Sequence, residues 1–187
     1  MSSFLPAPIV RIIVCGNADR GDDGVALATI ARLLPTLPHS LLSKVEIRRC
    51  LELRVEDLVE LPAGVVCLVL DAVAGVTPGQ VVQLTMTELL ERPAFTPRSS
   101  HQLPIDLVVG LADSLRAAPV SGTFIGLAGR GFDYGASLSP VVRAAMPAYR
   151  AAIAAELHEL ALREPSSEPS SEPSSVPASV PSLPTRA

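Results

Sequence analysis

Two runs in this sequence, "IVRIIVC" (9–15) and "GVVCLVLDAV" (64–73), are β-branched and apolar almost from end to end. A strand with one wet face alternates polar and apolar side chains, so runs without that alternation belong to strands covered on both faces. The segments between them supply the cover. Helical periodicity falls at 24–34 ("GVALATIARLL"), 54–60, 101–117 ("HQLPIDLVVGLADSLRA") and 139–162. Further strand-like runs fall at 44–49 ("KVEIRR"), 79–85 ("GQVVQLT") and 122–129 ("GTFIGLAG"), and "KVEIRR" alternates, which places it nearer an edge. The order β-α-β-α-β-β-α-β-α predicts an α/β domain, a three-layer sandwich whose mostly parallel, twisted sheet of about five strands carries helices on both faces. The last helix has the best-marked start, with Ser139 as N-cap and Pro140 at the first helical position.

From Glu164 the composition changes abruptly to "EPSSEPSSEPSSVPASVPSLPTRA". A proline every fourth residue removes helix hydrogen bonds, and so polar a tract cannot offset its own ordering entropy. The expected organisation is one domain over residues 1–163 and a disordered Pro/Ser/Glu-rich tail over 164–187. Removing residues 165–187 is therefore expected to leave melting temperature and activity nearly unchanged, and a large drop in melting temperature on truncation would contradict it.

Charge narrows the partners. Fifteen Lys and Arg stand against nineteen Asp and Glu, a net charge of −4, and the basic residues are scattered, which argues against nucleic acid. The N-terminus has no basic segment before its apolar stretch, and no uninterrupted apolar run approaches the ~18 residues of a membrane span. Cys15, Cys50 and Cys67 are far apart, contain no C-x-x-C pair and read as reduced core thiols of a cytoplasmic protein with no chemical role.

Ligands of open parallel sheets gather beyond the carboxyl ends of the strands. The first strand empties into "VCGNADRGDDGVAL" (14–27), where a glycine, four residues and another glycine have the spacing of a phosphate-binding loop. A phosphate loop continues with Lys and Ser or Thr, but this one continues with Asp22 and Asp23. One acid suffices to cap a helix or complement its dipole, with Arg20 available to neutralise one of them; two exceed that need. Asp71 ends the third strand, where an aspartate also commonly serves as a turn residue. His101 opens a helix with Ser99 or Ser100 as N-cap, whereas His39 lies in a proline-bounded turn and His158 on a charged helix face. Two carboxylates and an imidazole suit a borderline divalent cation such as Zn, Ni or Fe.

Four blocks together resemble one family. "GNADRGDDGVAL", "LVLDAVAGVTPGQVV", "SSHQLPIDLVVGLADSL" and "GASLSPVV" are similar, in order and spacing across residues 9–162, to the motifs of the hydrogenase maturation endopeptidases, which trim the C-terminus of the large subunit of nickel–iron hydrogenases. The resemblance implies a cytoplasmic protease of aspartyl type whose substrate is the nickel-loaded large-subunit precursor, with nickel brought by that substrate and no organic cofactor. Carried over by position, it implies Asp23, Asp71 and His101 as both the catalytic and the metal-contacting set. The alternative within the same pathway is a nickel checkpoint or chaperone that binds the precursor without cutting it. The sequence departs from the family after the second strand, where "RRCLELRVEDL" replaces a loop that often contains Gly-Gly, and at Pro104, which the helix tolerates only in its first turn.

Overall fold

The computed structural model describes residues 9–91, 95 and 103–162. Five strands form one sheet: β1 (Val10–Cys15), β2 (Val45–Cys50), β3 (Val66–Val73), β4 (Val81–Thr85) and β5 (Gly122–Ala128). Their order is β2-β1-β3-β5-β4, with β2, β1, β3 and β5 parallel and β4 antiparallel on the far edge. The alternating run at 44–49 is an edge strand, as its pattern predicts, because among the described residues one side of it has no neighbouring strand to bury it.

The helices are α1 (Val25–Leu33), α2 (His39–Leu42), α3 (Val55–Val59), α4 (Met86–Glu91), α5 (Ile105–Leu115) and α6 (Pro140–Leu162). Period-two alternation along β1 and β3 splits the core. Ile12, Val14, Leu68 and Leu70 pack with Ile30 of α1 and Tyr149, Ile153 and Leu157 of α6. Ile13, Cys67 and Val69 pack instead with Leu58 of α3, Leu89 of α4 and Val109 of α5. This is the expected three-layer α/β sandwich.

The charge inside the apolar run of β1 is matched across the sheet. Arg11, 4 % exposed, donates through Nε to Glu46 Oε2 at 2.9 Å and through Nη1 to the Glu60 carbonyl at 3.2 Å. Burial raises the Glu46 carboxyl, but hydrogen bonds from Arg11 and Arg48 outweigh it and hold the group below its usual range.

Three expectations change. Helix α5 begins at Ile105, not at residue 101, because Pro104 has no N–H and biases Leu103 away from helical angles; Pro104 itself is the N-cap, with φ −54° and ψ 142°. The short helices α2 and α4 lie in segments whose period is too brief to register in the sequence. The segment at 24–34 is preceded by a tight 3-10 turn, Gly21–Gly24, which holds both acids of the Asp pair. Helix α6 starts as expected, with Ser139 Oγ accepting from Val142 N at 3.4 Å. No helix among the described residues is long and apolar enough to cross a membrane. Residues 164–187, the predicted tail, lie outside the described residues.

Candidate active site at the carboxyl ends of the parallel strands

The site begins where β1 stops. Gly16 turns the chain with φ +125°, and a Cβ there would collide with the carbonyl oxygen of Asp23. Only glycine provides both the left-handed angle and the space. Gly16→Ala is accordingly expected to destabilise the fold by roughly 3 kcal/mol or more, read as a lower urea midpoint at unchanged m-value.

The turn then folds back on itself. Asn17 Oδ1 accepts from Asp19 N at 2.9 Å, Arg20 N donates to the Asn17 carbonyl at 3.1 Å, and Asn17 N donates to Asp23 Oδ2 at 2.9 Å. Asp23 is thereby oriented from below by the loop that precedes it, and it is 7 % exposed.

Asp22 points elsewhere and does different work. Its Oδ1 accepts from Ser139 N at 2.6 Å, and its Oδ2 accepts from Arg130 N at 2.8 Å and Gly131 N at 3.1 Å. Those three donors belong to the connection between β5 and α6, so one carboxylate fastens the strand-one turn to the entry of the last helix. Asp22 N and Gly21 N complete the seam by donating to the carbonyls of Gly131 and Ala136. Asp22 is fully buried, and burial by itself would raise its carboxyl; the N–H groups of Ser139, Arg130 and Gly131 outweigh that and lower it. A carboxylate so saturated is a poor general base. Neither acid caps α1 through its side chain, since the N-cap of that helix is Gly24. The Arg20 guanidinium goes to a carbonyl, Nε donating to Phe132 O at 3.3 Å.

Asp71 is not at the tip of its strand. Pairing with β5 continues through Asp71↔Gly126, Ala72↔Leu127 and Val73↔Ala128, so β3 outlasts β1, whose last pair with it is Val14↔Leu70. Asp71 therefore lies level with the point where β1 gives way to the Gly16 turn. It shares the sheet face of Cys67, Val69 and Val73, toward α5, and is 8 % exposed. Its Oδ1 accepts from Ala72 N at 2.7 Å. Behind it, the fully buried Tyr149 hydroxyl donates to the carbonyls of Ile125 at 3.1 Å and Asp71 at 3.3 Å, tying α6 to both strands. Burial pushes the Tyr149 hydroxyl well above its usual range, so it stays a donor.

The contact between β3 and the Gly21–Gly24 turn brings Asp71 and Asp23 to the same end of the sheet. His101, the third expected member, lies outside the described residues, as do Ser99 and Ser100. Among the described residues no three His, Cys, Asp or Glu side chains form a metal-holding group. His39 and His158 are exposed, as expected of solvated side chains. Sequence reasoning missed Asn17, Tyr149 and the Ser139 amide, which act through backbone groups or from distant segments; the Asn-Gly-rich turn composition was the one signal available for the first.

A groove of ≈ 590 Å³ opens at the other end of the sheet, lined by Gln83, Thr85, Glu88, Thr123 and Glu156. Its Glu156 is engaged by Gln83 Nε2 at 2.7 Å and Thr123 Oγ1 at 2.6 Å, and Glu88 by Thr85 N at 2.8 Å. Ligands of such sheets gather at the opposite end, beyond the carboxyl ends of the parallel strands, where Asp23 and Asp71 lie.

Two nearly buried carboxylates, Asp23 on the turn after β1 and Asp71 inside β3 near its end, thus lie at the end of a mostly parallel sheet where ligands of such folds gather. The family model for hydrogenase maturation proteases of the HycI type matches residues 55–156, more than half of the sequence. The chain belongs to the hydrogenase maturation protease family and is a peptidase. The match spans Asp71 and the α5 segment, while the acid pair of the first turn lies upstream of it.

Solved structures share the fold. The hydrogenase maturating endopeptidase HybD from E. coli superposes with a TM-score of 0.62 at 20% identity, covering 80% of this chain and 92% of its own. An endopeptidase from Escherichia coli gives 0.58 at 24% identity, covering 80% and 93%. The nickel–iron hydrogenase maturation protease HybD from Thermococcus kodakarensis gives 0.56 at 22% identity, covering 78% and 97%. No curated protein sequence matches.

Proposed function

We propose that the chain removes a C-terminal peptide from the nickel-loaded precursor of a nickel–iron hydrogenase large subunit, and that Asp23, Asp71 and His101 contact the nickel carried by that substrate. The observation that carries the reading is the pair of carboxylates Asp23 and Asp71, 7 % and 8 % exposed, at one end of adjacent secondary-structure elements. Each accepts a backbone N–H, Asp23 from Asn17 and Asp71 from Ala72, and two carboxylates at one edge of a sheet are hard donors of the kind a divalent metal takes. With His101 from the segment before α5 added, the donor set is the borderline type that suits nickel.

In this reading the three side chains hold the precursor's metal centre and thereby place the scissile amide against the crevice. Hydrolysis then adds water across the amide: the carbonyl carbon gains the oxygen, the C–N bond breaks and the departing amine takes the proton. Asp22 stays out of the chemistry and keeps the β5–α6 connection closed over the site. Three large apolar side chains surround this end of the sheet and suit a docked polypeptide: Leu51 after β2, Leu103 before α5 and Tyr134 after β5, exposed by 69 %, 51 % and 76 %. The expected place of action is the cytoplasm, where an unassembled precursor is available.

Incubating the protein with nickel-loaded and nickel-free precursor, read by mass spectrometry, tests the reading. Cleavage of the loaded form alone is expected. Asp71→Ala and His101→Ala are each expected to abolish that cleavage without loss of the folded circular-dichroism signal. Equal cleavage of both precursor forms, or normal processing by either variant, would overturn the assignment.

A further inference from the structure

Cys15 and Cys50 are thirty-five positions apart in sequence, but their sulfurs lie 3.3 Å from each other. They form the last register pair of the parallel strands β1 and β2. Register partners on adjacent strands have backbones about 4.8 Å apart, within the span that a disulfide bridges. Both side chains also belong to one sheet face, since Cys15 and Cys50 pack with the α3–α5 side of the core. The sulfurs need to close by only about 1.3 Å to reach bonding distance, a side-chain rotation. The backbone is already fastened at this level, where Gly16 N donates to the Cys50 carbonyl at 3.1 Å.

We propose that Cys15 and Cys50 are a redox-active dithiol that is converted to an intramolecular disulfide by exchange with a small-molecule disulfide of the glutathione type. The two sulfurs differ in access, and that sets the order of events. Cys50 is half-buried on the edge strand, while Cys15 is fully buried. The Cys50 thiolate attacks the small disulfide, one small thiolate leaves, and a mixed disulfide remains on Cys50. Cys15 then attacks the Cys50 sulfur and expels the second small thiolate. The two cysteine protons end on the two released thiols, the protein loses two electrons and the small disulfide gains them.

Cys67 provides the internal contrast. It is buried in the same face, burial pushes its thiol up to about 12, and its side chain has no sulfur partner among the described contacts. The bond would sit one residue before the Gly16 turn, whose Asn17 amide orients Asp23. Oxidation would thus pin the edge strand to β1 beside the candidate site. The inference stands on the sulfur geometry and is independent of the precursor reading.

The test uses the full chain, equilibrated with mixtures of reduced and oxidised glutathione, acid-quenched, alkylated and mapped by peptide mass spectrometry. The expected product is a species about 2 Da lighter than the reduced protein, with a Cys15–Cys50 linkage and Cys67 alkylated. Closing a loop of this length is expected to raise the melting temperature by on the order of 5–10 °C, reversed by dithiothreitol. Cys15→Ser removes the resolving thiol and is expected to retain one glutathione on Cys50. Cys50→Ser is expected to take up none, and because that position is half-buried the variant stays folded by circular dichroism. Alkylation of all three cysteines across the oxidised mixtures, glutathione retained on Cys50 of the unaltered protein, or a linkage between two chains would each overturn the proposal.

Discussion

Asp23→Asn is expected to lose precursor processing by about 100-fold or more while the protein stays folded. Changing even a residue that only supports a metal ligand commonly costs ~10–100-fold, and a residue proposed to face the metal itself is expected to cost at least that. The amide keeps the local bond, because Asn17 N needs one acceptor oxygen, now 2.9 Å away on Oδ2, and the amide oxygen supplies one. What it gives up is the negative charge that the proposed function sets against a cation. Asp23→Glu keeps the charge on a longer arm and is expected to retain part of the activity. Processing assays beside thermal unfolding of both variants check this; full activity in Asp23→Asn would move the metal contact to another residue.

Asp22→Asn is expected to do the reverse, costing stability first and activity second. Its two carboxylate oxygens accept three backbone N–H groups, all from the β5–α6 connection. An amide presents one oxygen and one NH₂, so at least one buried donor would face another donor. At ~1–3 kcal/mol for a buried group left unsatisfied, and more because the acceptor lost is charged, the loss is roughly 3 kcal/mol. This exceeds the ~0.5–2 kcal/mol of a lost helix cap.

The same carboxylate gives a pH signature. Its folded-state pKa lies below the ordinary 3.8, so the folded state binds this proton less readily than the unfolded chain does. The contribution is complete above the ordinary pKa and disappears as the pH falls through the lowered one. The stability gap between the unaltered protein and Asp22→Asn is therefore expected to narrow from about pH 5 toward pH 2. Denaturation midpoints across that range measure it, and a gap independent of pH would contradict the clamp.

Local period determined what the sequence by itself could. Nearly continuous apolar runs at 9–15 and 64–73 became the central strands β1 and β3, and the alternating run at 44–49 became the edge, because burial on one face or two is written into neighbouring residues. The acid pair at a strand-to-helix turn was legible for the same reason, as was Ser139-Pro140 at the start of α6. Tertiary structure alone decided how the two acids divide. Asp22 and Asp23 are adjacent and chemically alike, and they differ because Ser139 N, Arg130 N and Gly131 N, more than a hundred positions away, reach the first while the nearby Asn17 N reaches the second. Likewise the sequence offered Cys15 and Cys50 as separate core thiols, and the parallel register of β1 with β2 brought them to 3.3 Å. Element type follows from side chains three or four residues apart, whereas the partner of a buried polar atom follows from which distant strand or loop packs against it, and no short window of sequence contains that choice.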